Sequence, residues 1–203
     1  MDQAVPGKVV AHISISADGF SAGHRQSRER PFGDADESIL HGWMFDTPDE
    51  NRAELEAILA AKAFIMGRNM FGPIRGEWSG DWQGWWGPNP PYHAPVFVLT
   101  HHPRPSLVME GGTTFHFVTD GVHAAMERAR AVPGDADIAI AGGASTVNQF
   151  LAVGLLDELN LHITPFTLGA GTRVFDGVPP LRLEQISSRA ATRVTHVTYR
   201  VEH

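Results

Sequence analysis

A pair of glycines between an apolar run and a helical pattern is the stretch of this chain best suited to bind a ligand. Gly142-Gly143-Ala144-Ser145-Thr146 directly follows the apolar run that ends at Ala141. Glycine lets a backbone approach a ligand closely because it has no Cβ. The first N–H groups of a helix lack intrahelical partners and favour an anion. The stretch predicts a phosphate-binding strand–turn–helix, and the alternative is a plain strand-to-helix turn.

Three further turns carry side chains that could do chemistry. Gly67-Arg68-Asn69 follows a short apolar strand, and the planar guanidinium of Arg68 suits a phosphate as well as it suits a surface carboxylate. Thr100-His101-His102 ends another apolar strand. Asp18-Gly19 ends the first strand, where Asp18 could bind substrate or relay a proton, or simply form the turn.

An aromatic segment supplies a possible wall for a binding pocket. Between Pro73 and Pro95 lie four of the five tryptophans, among many glycines and prolines. Trp82 and Trp86 could stack on a flat heteroaromatic ring as a lid or pocket wall. A hydrophobic plug or a dimer contact would need the same composition.

The elements that must position these residues alternate between strands and helices. Ser21–Asp36 has the polarity of a long loop. The helical patterns are Asp49–Ala61, Val122–Ala129 with Asp120 as a cap, and a segment after Gly143 with Val147, Phe150, Leu151, Gly154 and Leu155 on one face. The predicted strands are Lys8–Ser16, Ala63–Met66, Val96–Thr100, Thr114–Val118, Asp137–Ala141, Leu159–Ile163 and Val194–His203.

This order predicts an α/β fold with a mostly parallel central sheet, helices on both faces and an antiparallel edge made by the C-terminal strands. In such sheets, ligands bind beyond the carboxyl ends of the strands. The four turns therefore point to one common site.

Composition narrows the class of protein. The chain has 203 residues, 42% of them hydrophobic, and is expected to form a single domain over residues 1–203. The formal charge of −7 and the lack of a basic run argue against nucleic acid or an anionic membrane as partners. Without cysteine there is neither a disulfide framework nor thiol chemistry. The eleven histidines are scattered and no HExxH pair occurs, so we expect no metal site.

Recognised signals are also missing from the sequence. GxGxxG, the GxxxxGK[ST] phosphate loop and GxSxG are not present. Met1–Lys8 lacks a secretion-signal pattern, and no apolar run reaches the ~20 residues that a membrane span needs. A cytoplasmic protein is the expectation.

Five motifs in order resemble the dihydrofolate-reductase-like superfamily, most closely the RibD C-terminal (riboflavin-biosynthesis reductase) domain family. Ile13–Phe20 resembles its first strand ending in S-x-D-G, and Ile65–Phe71 resembles its G-R-x-T-[FY] turn. Val96–Thr100 is similar to its central strand, and Ala141–Ser145 to its cofactor turn. Asp157–Pro165, then Leu168–Gly171 and Leu181, resemble its late D-E-L…P…G-x-G block. The resemblance covers the chain from about Lys8 to the C-terminus.

The resemblance implies a reductase that binds NADPH. The Gly67–Arg68 turn and Thr100 would hold the adenosine-phosphate end, the double glycine the pyrophosphate, and Ala11–Ile13 would lie beside the nicotinamide and the substrate. The implied cofactor-binding residues are Ala11, Gly67, Arg68, Asn69, Thr100, His101, Ala141, Gly142, Gly143, Ala144, Ser145 and Thr146. The implied substrate-binding residues are His12, Phe20, Trp82, Trp86 and Phe166.

A catalytic role is expected for Asp18, with Asp46 and Asp49 as competing carboxylates. The family also implies a homodimer that associates through a sheet edge.

Two departures from the family pattern leave the substrate open. Met70 stands where the family usually has threonine, and the Pro73–Pro95 insert is foreign to the riboflavin enzyme. One hypothesis is an NADPH-dependent reductase of a flat heterocycle of pyrimidine or pteridine type, which includes dihydrofolate reductase activity. Another is reduction of the riboflavin precursor, a ribosylaminopyrimidine phosphate, whose phosphate Arg25, Arg28 and Arg30 could bind. The third is a non-catalytic NADP(H)-binding protein.

Overall fold

A computed structural model describes residues 7–203, which form a nine-stranded sheet and a small two-stranded sheet. The strands are β1 (Val9–Ser16), β2 (Phe20–Ala22), β3 (Ala61–Gly67), β4 (Pro95–Leu99), β5 (Leu107–Val108), β6 (Thr114–Val118), β7 (Asp137–Ile140), β8 (Glu158–Thr164), β9 (Thr172–Arg173), β10 (Arg182–Ala191) and β11 (Val194–Glu202). The α-helices are α1 (Glu37–Phe45), α2 (Arg52–Leu59), α3 (Arg68–Phe71), α4 (Gly121–Arg130) and α5 (Ala144–Ala152), and a short 3₁₀ turn covers Glu110–Gly112.

The large sheet has the order β10-β11-β8-β1-β7-β3-β4-β6-β5. Its six inner strands, from β8 to β6, run parallel to one another. Antiparallel strands flank this block, β11 and β10 on one side and β5 on the other. The predicted fold class is confirmed. The antiparallel C-terminal edge consists of β11 and β10, whereas β8 pairs in parallel with β1.

The two faces of the sheet bury different kinds of side chain. On one face, α4 and α5 pack Met126, Val147 and Phe150 against alternate residues of β1, such as Ala11 and Ile13. The opposite face is aromatic over β3, β4 and β6, and it is polar over β1, β8 and β11 where α1 covers it. The second face therefore combines a buried polar region and an aromatic region.

The sequence reasoning missed α1 and β10. Helix α1 is capped by Asp36, whose carboxylate accepts a hydrogen bond from the Ser38 amide, and it buries Leu40 and Trp43. The sequence signal was that cap, Asp36-x-Ser38, followed by apolar residues at helical spacing. Strand β10 has no buried residue, so it lacks the apolar alternation that reveals a strand.

Several predicted boundaries were wrong. Helix α5 ends at Ala152, because Gly154 adopts the positive φ of +67° typical of a helix C-terminus. The Asp49–Ala61 pattern yields only α2, which buries no residue completely. The segment Ser21–Asp36 is not all loop, since β2 pairs with β9. Asp120 precedes α4 without a capping hydrogen bond from its side chain.

Within residues 7–203, no helix combines the length and the apolar character that a bilayer span requires. The same residues contain no group of three or more histidine or acidic side chains arranged to hold a metal ion. The expectation about a secretion signal concerns Met1–Lys8 and lies mostly outside the described residues.

Candidate functional site

Three of the predicted turns meet at the carboxyl ends of the neighbouring strands β7, β3 and β4. The amide of Gly67 donates to the Gly142 carbonyl at 2.9 Å, and the amide of Ala141 donates to the Ile65 carbonyl at 2.8 Å. Arg68 Nη1 lies 3.4 Å from Thr100 Oγ1. Two backbone bonds and one side-chain contact thus join turns that are far apart in the sequence.

The double-glycine turn leaves its outer side open. A Cβ at Gly67 would collide with the Thr146 hydroxyl, whereas a Cβ at Gly143 would meet no atom within 4 Å. Gly143 begins α5 without a side-chain cap, and the Gly142–Gly143 peptide is cis. The first amides of α5 lack intrahelical partners and no atom occupies the space next to Gly143, so this turn could accept an anion such as a pyrophosphate.

Arg68 is a cation without a full set of partners. Its Nε and Nη2 atoms are buried and have no hydrogen-bond partner among the described residues. Burial, reinforced by the nearby charge of Arg75, lowers the pKa of Arg68. An unpaired, crowded guanidinium is stabilised by an anion, so the residues present fit a phosphate at this position.

Sequence reasoning missed two residues beside Arg68. The Cζ of Arg68 lies 3.8 Å from the centre of the Trp78 ring, and the Cζ of Arg104 lies 4.9 Å from the same centre. The Trp78 indole also donates to the His102 carbonyl at 2.8 Å. Arg104 stands four residues beyond Thr100 with no motif around it, and only the fold brings it to Arg68.

The remaining predicted cofactor residues differ in accessibility. Ala11 and Ala144 are buried, and Ser145 and His101 are exposed at the carboxyl edge. The carbonyl of Asn69 accepts a hydrogen bond from Gln26 Nε2 at 2.8 Å, which ties α3 to the loop after β2.

Asp18 acts as a clamp between loops. Its carboxylate accepts hydrogen bonds from Ser16 Oγ at 2.6 Å and from the amides of Leu168 and Gly169 at 3.0 and 2.7 Å. The Ser16 hydrogen bond is the main reason that the pKa of Asp18 falls to about 2. The side chain is ionised at neutral pH and its oxygens are already in use, which favours its turn-forming role over proton donation. A catalytic role remains a prediction.

The competing carboxylates lie in surface ion pairs. Asp46 Oδ2 is 2.6 Å from Arg193, and Asp49 Oδ1 is 2.6 Å from Arg52. Their side chains are 52% and 90% exposed, so neither is enclosed with the turns described above.

The tryptophan segment covers the aromatic half of the same sheet face as His12. Trp86 packs against Tyr92 and Phe115, with ring centroids 5.1 and 5.9 Å away, as a plug would. Trp82 instead lines a cavity of about 650 Å³ together with Arg28, whose Cζ is 5.6 Å from the Trp82 ring. The two tryptophans therefore differ in role, and Trp82 is the one placed to contact a ligand.

The two predicted phenylalanines also differ. Phe20 is buried beneath Arg173, whose Cζ lies 4.5 Å from its ring. Phe166 is 46% exposed beyond the end of β8, and its carbonyl accepts a hydrogen bond from the Ala17 amide at 2.7 Å. Of the pair, only Phe166 presents a large accessible apolar surface.

His12 projects from β1 next to the double-glycine turn. The register pairs Ala11 with Ile140, so His12 lies opposite Ala141. Its Nδ1 contacts His162 Nε2 at 3.3 Å. Burial lowers the pKa of His12 to about 4, and the more distant Glu158 opposes that effect. His12 is thus a neutral imidazole at neutral pH, half-buried beside the candidate cofactor turn.

The Asp18 clamp predicts a defined pH dependence of stability. Because the pKa is depressed in the folded state, the stabilisation is present above the unfolded value of about 4 and is lost as the pH falls towards 2. Asp18→Asn should lower the free energy of unfolding by a constant amount from pH 7 to about pH 5, and the deficit should shrink below pH 4. Urea denaturation across this range measures the deficit, with Asp81→Asn as the surface control. A deficit that does not change between pH 7 and pH 2.5 contradicts the clamp.

Comparison with known proteins agrees with this architecture. A putative riboflavin biosynthesis protein from Shewanella sp. PV-4 superposes with a TM-score of 0.61 at 21% identity, over 97% of this chain and 99% of that one. Enterococcus faecalis dihydrofolate reductase, solved with NADP(H), superposes with a TM-score of 0.61 at 14% identity, over 97% and 98% of the two chains. At these identities the likeness shows a shared fold.

Sequence comparisons are more specific. The uncharacterized protein YyaP of Bacillus subtilis is 32% identical over 85 residues, which are 41% of this chain and 45% of that protein. The matched segment therefore spans less than half of the curated relative. The model of the RibD C-terminal domain family matches residues 7–197. Since that match covers nearly the whole sequence, the chain belongs to the RibD C-terminal domain family.

Proposed function

We propose that this protein is an NADPH-dependent reductase of a small, flat heterocycle of pyrimidine or pteridine type. Membership of the family supports a RibD-like reductase. The observation that carries the cofactor assignment is Arg68, whose Nε and Nη2 atoms are buried without partners at the strand edge where the double-glycine turn begins α5.

Two groups of residues would bind two different parts of the cofactor. The open turn at Gly143 and the first amides of α5 would hold the pyrophosphate. Arg68 and Arg104, which both contact the Trp78 ring, would hold the 2′-phosphate. When bound, the reduced nicotinamide supplies a hydride, which is the cofactor's own chemistry.

The chain's own residues would position the substrate and exclude water. His12 and Ala141 lie opposite each other next to the double-glycine turn. Trp82 packs on the same face of the sheet and lines the cavity of about 650 Å³. An aromatic wall suits a flat ring, and Arg28 offers that cavity one positive charge. Arg25 is already paired with Asp34 at 3.0 Å, so the first loop supplies less free positive charge than a phosphorylated substrate would favour.

Gly143→Val is the sharpest test of the pyrophosphate position. With φ at −75° and no atom within 4 Å of a Cβ, the fold should accept the valine while its side chain fills the space next to the turn. NADPH affinity should fall by about a hundred-fold or more, and NADPH oxidation with any active heterocycle should fall with it. Isothermal titration and circular dichroism measure binding and folding.

Ala152→Val, at the far end of the same helix, is the matched control because Ala152 is exposed. Wild-type NADPH affinity in a natively folded Gly143→Val variant would overturn the assignment. Saturable NADPH binding without oxidation over a broad set of flat heterocycles would favour the non-catalytic alternative.

Arg68→Ala should discriminate between the two nicotinamide dinucleotides. Loss of a charged hydrogen-bond donor to the 2′-phosphate should weaken NADPH by about ten- to a hundred-fold, and should change NADH affinity by about two-fold at most. Arg104→Ala should act in the same direction. Arg128→Ala, which removes a surface cation of α4 paired with Asp120 at 3.6 Å, is the control. Equal losses for NADPH and NADH would place the 2′-phosphate elsewhere.

We also propose a homodimer formed through the β10 edge. Strand β10 is an unpaired edge in the described residues, and Ile186 on it is 45% exposed. Edge strands with exposed apolar side chains readily pair with another chain. Light scattering after gel filtration should give twice the monomer mass, and Ile186→Lys should shift it towards the monomer. A monomeric mass for the unaltered protein at high concentration would contradict this assembly.

A further inference from the structure

Three histidines form a continuous hydrogen-bonded chain across β1, β8 and β11. His12 Nδ1 lies 3.3 Å from His162 Nε2, and His162 Nδ1 lies 2.7 Å from His196 Nδ1. His162 and His196 are buried at 2% and 6% exposure beneath the Trp43 ring, whose centroid lies 4.8 and 5.0 Å from theirs. Each contact uses a different nitrogen of the shared ring, so the three rings make one linear path.

The outer end of the chain has a fixed polarity. His196 Nε2 contacts Asn51 Oδ1 at 2.9 Å, and Arg189 Nη2 donates to the same oxygen at 3.1 Å. Arginine has donors only, so the Asn51 atom must be the amide oxygen. The amide nitrogen of Asn51 donates to the carbonyls of Trp43 and Thr47 at 3.2 and 2.8 Å, which agrees with that assignment. His196 Nε2 must therefore carry a proton.

Burial keeps the three imidazoles neutral at neutral pH. It is the largest cause of the lowered pKa of His12, His162 and His196. The groups that face the chain are Glu54, Glu50 and Arg189 around His196, His41 around His162, and Glu158 and Asp137 around His12. Glu54 is already bound by Arg189 at 2.8 Å, so its charge is compensated.

Because each ring is neutral, the position of the proton on His196 determines which nitrogen is protonated on His162 and then on His12. A neutral imidazole carries one N–H, so His196, protonated on Nε2, accepts at Nδ1. His162 must then donate from Nδ1 and accept at Nε2. His12 must donate from Nδ1, which leaves the lone pair on its Nε2. Among the described residues, His12 Nε2 has no hydrogen-bond partner. It is also not one of the side-chain atoms that are both buried and unpartnered.

We propose that this histidine chain fixes His12 Nε2 as a hydrogen-bond acceptor beside the double-glycine turn, so that the site selects heterocycles that present an N–H donor. This rests on the proposed reductase function and names the substrate feature that the same site reads. His12 contacts the substrate, whereas His162, His196 and Asn51 are positioning residues. A heterocycle that presents only acceptors to His12 would face a lone pair and bind poorly.

The tautomers can be measured without any ligand. Two-bond ¹H–¹⁵N correlation spectra of the full chain with ¹⁵N-labelled histidine, at pH 7, should show His12 and His162 as Nδ1–H and His196 as Nε2–H. The exposed His123 serves as the internal reference for an unconstrained ring. His196→Phe removes the acceptor for His162 and should return His12 towards the reference. His12 found as Nε2–H or as imidazolium would overturn the proposal, whatever the cofactor measurements show.

Ligand selection is tested with two compounds that share one ring. With NADP⁺ present, 6-aminouracil should bind about ten-fold more tightly than 6-dimethylamino-1,3-dimethyluracil, which has no N–H, and only the former should shift the His12 Nε2 resonance. In His12→Phe, both should bind within about two-fold of each other while NADPH affinity is retained. Equal binding of the two compounds to the wild type, or no binding of 6-aminouracil, would overturn the proposal. Failure of the wild type to bind NADPH would instead reject the reductase function.

Discussion

The close approach of β3 to the start of α5 is the constraint on which the candidate site depends. The Gly67 amide bonds to the Gly142 carbonyl, and Thr146 occupies the space that a side chain at residue 67 would need. This contact holds the Arg68 turn and the Gly143 turn next to each other, although 75 residues of sequence separate them. A larger residue at position 67 would have to push α5 away from the sheet edge, and the turn at Gly143 would move with it.

Two chemically distinct surfaces share the sheet face next to that edge. Over β1, β8 and β11, three histidines and Asn51 form a polar strip in which each side chain is hydrogen-bonded to the next. Over β3, β4 and β6, tryptophan, tyrosine and phenylalanine rings pack edge to face. Between them lie Ala139 on β7 and Ala141 just after it, both with small side chains. Small side chains therefore separate the hydrogen-bonded part of this face from its aromatic part.

The sequence was sufficient for the parallel core but not for its surroundings. Apolar runs such as Val96–Leu99 predict buried parallel strands, and those strands were found. Strand β10 was missed because both of its faces are largely polar, so no period of two emerges. Arg104 and the histidine chain were missed for a different reason. His12, His162 and His196 lie 150 and 34 residues apart, and only strand order and register bring them into contact.

The position of Trp78 has a consequence for how the protein could be observed. Its indole lies against two guanidinium groups at the edge of the sheet. The emission energy of an indole depends on the electric field across its ring. An anion that neutralises those cations changes this field without moving any atom of the fold. Trp78 is therefore a chromophore whose colour of fluorescence would report a change of charge next to Arg68 and Arg104, against a background of four tryptophans placed elsewhere in the chain.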